Sequence, residues 1–268
     1  MKSFENKKSL GQHFLKDKNI LKKIANVAEI KKDDYVLEVG PGGGTLTEEI
    51  LKKSQKVVAV EKDDRLIGFL KEKFQKEILE QKLKLVHTDI LTYKLTNLKT
   101  YKLIANIPYY ITGKLLRKFL SENNQPNTMV LLVQKEVAER IVSKDKKESL
   151  LSISVKAYGS PVYKGLVKAG SFSPPPKVDS AILLIEKISR EFFEKNKISE
   201  DFFFKVLKTG FSQKRKKLSS NLKKVASKEA IESAFEKEGI SQVVRAEDVA
   251  LEKWGKLSKQ LSKERFQQ

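Results

Sequence analysis

The segment Asp34-Tyr35-Val36-Leu37-Glu38-Val39-Gly40-Pro41-Gly42-Gly43-Gly44-Thr45 leaves its backbone few options. An apolar run of strand length enters a turn with glycine at alternate positions, Gly40, Gly42 and Gly44, and a helix opens near Thr45. Glycine serves where the chain must turn left-handed or approach another group closely, because no Cβ stands in the way. A second apolar run, Lys56-Val57-Val58-Ala59-Val60, ends in Glu61. A carboxylate at that point can accept both hydroxyls of a ribose, so the two features together point to a ligand containing a nucleoside.

The rest of the chain fits this start. Strand-like runs at Tyr35–Val39, Lys56–Val60, Lys82–His87, Tyr101–Ala105 and Thr128–Val133 alternate with helical patterns at Thr45–Lys53, Arg65–Leu79, Ile111–Ser121 and Lys135–Val142. Such alternation predicts a Rossmann-like α/β domain with a parallel sheet and its ligand at the carboxyl ends of the strands. Gly40, Glu61, Asp89 and Asn106 all fall at those ends. An opening helix is expected over Asn19–Ala28, capped by Asp17 or Asn19, with Phe14 and Leu15 buried before it. Ser149–Tyr158 reads as a helix, and Val162–Val167 and Ser180–Ile185 as paired strands. Between those strands Pro174, Pro175 and Pro176 can enter neither a ladder nor a helix interior, so they form a stiff loop that holds Phe172. From Glu191 only helices are expected, at Asp201–Phe211, Lys214–Val225, Lys228–Glu238 and Glu247–Lys259. Two domains follow: 1–190, and a small all-helical domain over 191–268.

Composition narrows the partners. The net charge is +20, and the 18 basic and 12 acidic residues from Glu191 onward leave +14 to the first 190 residues. The charge thus belongs to folded surfaces rather than a tail, which favours a polyanion such as nucleic acid. Cysteine is absent and only His13 and His87 are available as imidazoles, which argues against disulfides, thiolate chemistry and a metal centre. The amino-terminal stretch is lysine-rich without an apolar core, and no run approaches membrane-spanning length. A cytoplasmic protein is expected.

The glycine spacing is Glu-x-Gly-x-Gly-x-Gly, with an acid, Glu38, inside a strand expected to be buried. This resembles the first motif of the S-adenosylmethionine-dependent methyltransferases. Asp89, after the third strand, can accept a hydrogen bond from the exocyclic amine of the cofactor's adenine. Asn106-Ile107-Pro108-Tyr109 follows the fourth strand directly. The exocyclic nitrogen of a target adenine is a poor nucleophile, because its lone pair is delocalised into the ring. Acceptors on its two N–H bonds draw it toward tetrahedral geometry, and the Asn106 side chain with a backbone carbonyl fixed by Pro108 can supply them. Tyr109 can stack on the base once it has left its helix. Tyr110 is expected in the core.

Joined to Gly11-Gln12-His13-Phe14-Leu15, to Phe172-Ser173-Pro174-Pro175-Pro176-Lys177-Val178-Asp179-Ser180-Ala181 and to Phe211-Ser212-Gln213-Lys214-Arg215-Lys216-Lys217, these motifs resemble the ribosomal RNA adenine N6-dimethyltransferase family over nearly the whole chain. The resemblance implies that His13 (often Asn in the family) and Leu15 line the cofactor site with Glu38, Gly40, Gly42, Glu61, Asp89 and Asn106. It further implies that Phe172 stacks opposite Tyr109 around the base. The proline run, the Gln213–Lys217 segment and Arg245-Ala246-Glu247-Asp248 are more similar to the small-subunit enzymes, which dimethylate two adjacent adenines near the 3′ end of 16S RNA within an immature 30S subunit. A 23S methyltransferase of the macrolide-resistance type and a mainly non-catalytic assembly factor are the alternatives. The chain is expected to be a monomer. Lys7, Lys8, Lys16 and Lys18, with Lys214, Arg215, Lys216 and Lys217, are expected to grip the RNA backbone, as phosphate contacts position a protein without reading sequence.

Overall fold

A computed structural model describes residues 13–95 and 100–264. The chain forms two compact units, one of residues up to Ala138 with Ser160–Ile188, the other of Glu139–Gly159 with Ser189 onward. In the first, β1 (Phe14–Leu15) leads to α1 (Lys18–Val27), where the Asp17 side chain caps the amides of Asn19 and Ile20. Then come β2 (Tyr35–Val39), α2 (Thr45–Leu51), β3 (Lys56–Glu61), α3 (Asp64–Lys73), α4 (Gln75–Leu79) and β4 (Leu83–His87). They are followed by β5 (Lys102–Asn106), α5 (Thr112–Ser121) and β6 (Thr128–Gln134). After α6 (Lys135–Val142) and α7 (Leu150–Lys156), β7 (Ser160–Val167), β8 (Phe172–Ser173) and β9 (Ser180–Glu186) complete the unit.

The main sheet has the order β4-β3-β2-β5-β6-β9-β7, parallel from β4 to β6 and antiparallel at β9 and β7. Its central strands are buried on both faces, so β6 reads Met129-Val130-Leu131-Leu132-Val133 without alternation. Helix α5 buries Leu115, Leu116, Phe119 and Leu120, the spacing of one helical face. The order reverses between β2 and β5, which is where such a sheet leaves a crevice for a ligand. A separate ribbon pairs β1 with β8, placing Leu15 opposite Phe172. Two-residue strands carry too little periodicity to be read from sequence.

The second unit contains α6 from Glu139, α7, α8 (Glu191–Asn196), α9 (Glu200–Gly210), α10 (Leu218–Leu222), α11 (Lys228–Lys237) and α12 (Leu251–Glu264). Phe193, Phe203, Leu207, Leu218, Leu222, Phe235, Trp254 and Leu257 are buried there.

Several expectations shift. The domain cut expected after residue 190 leaves out 139–159, which pack with the helices. Tyr158 donates its hydroxyl to Glu200 and meets Phe193 and Phe204, and the Glu148 amide bonds the Glu247 carbonyl. The single helix expected over Arg65–Leu79 breaks at Phe74, which leaves helical geometry at φ −111° and ψ 27° and packs beneath the glycine turn. The helix expected over Lys214–Val225 shrinks to α10. Ahead of it, Ser212–Lys217 form an exposed turn, since four successive cations gain nothing from a helix that would crowd them. The last expected helix starts later, after a single 3-10 turn at Ala246–Asp248, and α8 was not foreseen.

Candidate active site

The carboxyl ends of β2, β3, β4 and β5 and the β1–β8 ribbon surround an open cleft of about 1050 Å³, its mouth included. It lies wholly in the first unit. His13, Leu15, Gly40, Gly42, Glu61, Asp89, Asn106, Pro108, Tyr109 and Phe172 all line it. Glu38 does not. It is 1 % exposed, because it sits two residues short of the glycine turn, within the fully buried part of β2.

The glycine turn is held by its neighbours. Gly40, Gly42 and Gly44 have φ of +70°, +57° and +74°. A Cβ on Gly42 would stand 2.9 Å from the Phe14 ring, and one on Gly44 would stand 2.5 Å from the Phe74 ring. Two aromatic rings therefore fill the space that these glycines leave. Gly43, by contrast, has no heavy atom within 4 Å of its Cβ position, and it faces the cleft. The Lys73 ammonium donates to the Gly43 carbonyl at 2.8 Å and pairs with Glu48, tying α3 to the turn.

Glu61 closes the loop from the other side. One carboxylate oxygen accepts the Gly42 amide at 3.1 Å, and the other accepts the amides of Lys62 and Asp63, each at 2.8 Å. Burial nevertheless raises its pKa above the ordinary carboxylate range. Asp89 accepts the Lys62 ammonium at 2.8 Å and the Leu91 amide at 2.9 Å, and the hydrogen bond from Lys62 holds its carboxyl below the usual range. Glu38 is pushed up to about 8 by burial, with the charge of Glu61 adding to the shift. Neither of its oxygens has a hydrogen-bond partner among the described residues, and the hydroxyl of neighbouring Thr47 is likewise unpaired there.

Asn106 ends β5 beside Gly40, whose Cβ position is 3.6 Å from the Asn106 carbonyl oxygen. No side chain among the described residues hydrogen-bonds its carboxamide. The Pro108 carbonyl accepts the Ile111 amide at 3.2 Å and so closes the 3-10 turn Tyr109–Ile111. The Tyr109 hydroxyl meets Ser180 Oγ at 2.6 Å, and burial raises its pKa. Phe172 lines the cleft but is 1 % exposed and paired in the β1–β8 ribbon, and His13 stacks on Tyr109 with centroids 6.2 Å apart and planes 20° from parallel. The Pro174 carbonyl lies 2.8 Å from His13 Nδ1 and fixes that ring. Tyr110 is 65 % exposed at the cleft rather than in the core, because the 3-10 turn rotates it outward. Sequence reasoning passed over Lys62, although its place next to Glu61 was a usable signal.

Of the expected backbone-gripping cations, Lys7 and Lys8 lie outside the described residues. Lys16 and Lys18 are exposed, as are Lys214, Arg215, Lys216 and Lys217. Among the described residues no group of three or more His, Asp or Glu is arranged to hold a metal, and no helix is long and apolar enough to cross a membrane.

Known proteins resemble the chain over most of its length. A family model described as ribosomal RNA adenine dimethylase matches residues 3–263. A relative from Dehalococcoides mccartyi named ribosomal RNA small subunit methyltransferase A is 44 % identical over 257 residues, covering 94 % of this chain and 87 % of the relative. One of the same name from Clostridium acetobutylicum is 35 % identical over 266 residues, 97 % of this chain and 95 % of that one. Among solved structures, a dimethyladenosine transferase from Plasmodium falciparum superposes with a TM-score of 0.76 at 28 % identity, covering 91 % of this chain and 96 % of that one. The 23S rRNA methyltransferase ErmE gives 0.76 at 25 % identity, covering 93 % and 99 %.

Proposed function

The chain belongs to the ribosomal RNA adenine dimethylase family, and from that premise we propose that it N6,N6-dimethylates two adjacent adenosines near the 3′ end of 16S RNA, as a cytoplasmic monomer acting on the immature 30S subunit. The observation that carries the reading is the meeting of two strand ends. Asn106 and the glycine turn sit side by side where the sheet order reverses, so a methyl donor and an acceptor amine would share one crevice. The relatives named for the small subunit, at 35 % and 44 % identity, favour it over the 23S substrate of the structural relative at 25 %.

S-adenosylmethionine fits the lining and would supply, when bound, a methyl group activated by a sulfonium charge. Glu61 offers its remaining lone pairs to the ribose hydroxyls and Asp89 does so to the adenine amine, while Gly43 leaves open space. Both carboxylates also complement the ligand's positive charge. Asn106 accepts one N–H of the target adenine. The carbonyl of Ile107 accepts the other, held by the imide bond to Pro108. Tyr109 and His13 supply ring faces for the base. The chain contributes alignment rather than a strong base, since the amine becomes acidic only as its new bond forms. Phosphates would be gripped by Lys16, Lys214, Arg215, Lys216 and Lys217, with Lys7 and Lys8.

The test is incubation with labelled donor and small subunits from an unmethylated strain, followed by mapping of the modified adenines. Label at the two adjacent adenines is expected, with Asn106→Ala silent but still binding donor. Label confined to large-subunit RNA, or full turnover by Asn106→Ala, would overturn the reading.

A further inference from the structure

From Phe202 to Lys228 the chain carries nine basic residues and no acid, although the sequence from Glu191 onward holds 12 acids. In the middle of this stretch Ser212–Lys217 are all exposed, and Lys214, Arg215, Lys216 and Lys217 form no ion pair among the described residues. Lys223 and Lys224 add two more exposed charges one helix later.

Four adjacent cations repel one another and would ordinarily make a mobile segment. Here their backbone is fixed from below. Asn221, 4 % exposed, donates its carboxamide to the Gly210 carbonyl at 2.6 Å and to the Gln213 carbonyl at 3.1 Å. The Gln213 carbonyl also accepts the Lys216 amide at 3.1 Å, which closes the turn. The far end is fixed where the Leu218 amide bonds the Val244 carbonyl at 2.8 Å. The near end is fixed by Phe211 stacking on buried Trp254, with centroids 5.6 Å apart. A charged surface prepared in this way avoids the ordering cost that flexible lysines incur on binding.

We propose that Asn221 is the positioning residue of a preformed RNA-docking surface in the helical unit, made by the Lys214–Lys217 turn with Lys223 and Lys224 and fitted to the phosphates of an RNA helix. This rests on the functional reading above and extends it from individual cations to the device that orders them. A single buried carboxamide sets the presentation of four charges without contacting RNA itself.

The experiment measures binding of a labelled 3′-terminal fragment of 16S RNA across a salt series, alongside donor affinity. In the full chain, replacing Lys214, Arg215, Lys216 and Lys217 by serine is expected to flatten the plot of log K against log salt by about 3, since each neutralised phosphate contributes somewhat less than one. Asn221→Ala removes no charge, yet it is expected to weaken RNA binding about tenfold and to flatten the slope, with donor affinity unchanged. Asn221→Ser, which keeps a donor, should restore part of the loss, and it takes the place of Asn221→Ala should that variant lose its melting transition. Wild-type slope and affinity in the four-serine variant, or in a folded Asn221 variant, would overturn the proposal. So would wild-type protein that binds anionic vesicles but not RNA. Wild-type protein that binds RNA steeply but methylates none would instead sink the functional reading and leave the docking surface standing.

Discussion

Glu61 accepts the backbone amide of Gly42 at 3.1 Å, so the carboxylate read as the ribose acceptor is also an anchor of the glycine turn. Glu61→Ala is therefore expected to weaken donor binding by about 1–3 kcal/mol, the usual loss when buried donors are left without a charged partner. Glu61→Gln keeps one acceptor oxygen and should fall between. Titration calorimetry with the donor checks both, and unchanged affinity would contradict the assignment.

Gly42 and Gly43 are adjacent but should respond in opposite ways. Alanine at 42 must adopt φ +57° against the Phe14 ring, so the fold is expected to lose about 1–2 kcal/mol from the left-handed backbone alone. Alanine at 43 meets nothing in the protein, so its melting curve should stay near wild type. If the donor lies across the turn, Gly43→Ala should still lose donor affinity. A stable Gly43→Ala with normal affinity would place the ligand elsewhere.

Glu38 should give the fold a pH dependence. Its pKa is raised to about 8 from an ordinary 4.5, so the folded protein holds a proton that the unfolded chain releases above pH 4.5. The sign is thus the reverse of a paired carboxylate. Stability is full below about pH 4.5 and declines as pH rises toward 8, by up to about 1.4 kcal/mol per pH unit while the two states differ by one proton. Glu38→Gln cannot ionise, so its denaturation midpoints between pH 5 and 8 should follow a flatter course than those of the wild type. Parallel curves would show that the group is not carried protonated.

Phe172 and His13 separate structure from chemistry. Phe172 is buried in the first core, so Phe172→Ala should cost about 3–5 kcal/mol of stability whatever it does to turnover. His13 is partly exposed and stacks on Tyr109, so His13→Ala should melt near the wild-type temperature and lose RNA methylation. The outcome that contradicts this is a His13→Ala enzyme of normal activity.

What was legible in the sequence was local. Gly40, Glu61, Asp89 and Asn106 were readable as cleft residues because the end of a parallel strand has a fixed place on the sheet's rim, and one sequence pattern marks it. What depended on distant packing was not. The break at Phe74 answers to the missing Cβ of Gly44, and the exposure of Tyr110 to the pitch of a short 3-10 turn. The stacking of His13 on Tyr109 answers to a two-residue strand pairing that brings the amino-terminal segment to the cleft. Glu38 belongs to the same motif but lies within the buried length of β2 rather than at its end, and it is not among the residues that line the cleft.

The ribbon between β1 and β8 has a consequence for any shortened chain. His13 and Pro174, joined at 2.8 Å, stand 161 positions apart, so the wall of the cleft closes between the first strand of its unit and β8. Closing so long a loop carries an entropic cost that local pairing cannot meet in advance. A chain that stopped at β6 would therefore lack one wall of the cleft, the one that the β1–β8 ribbon builds.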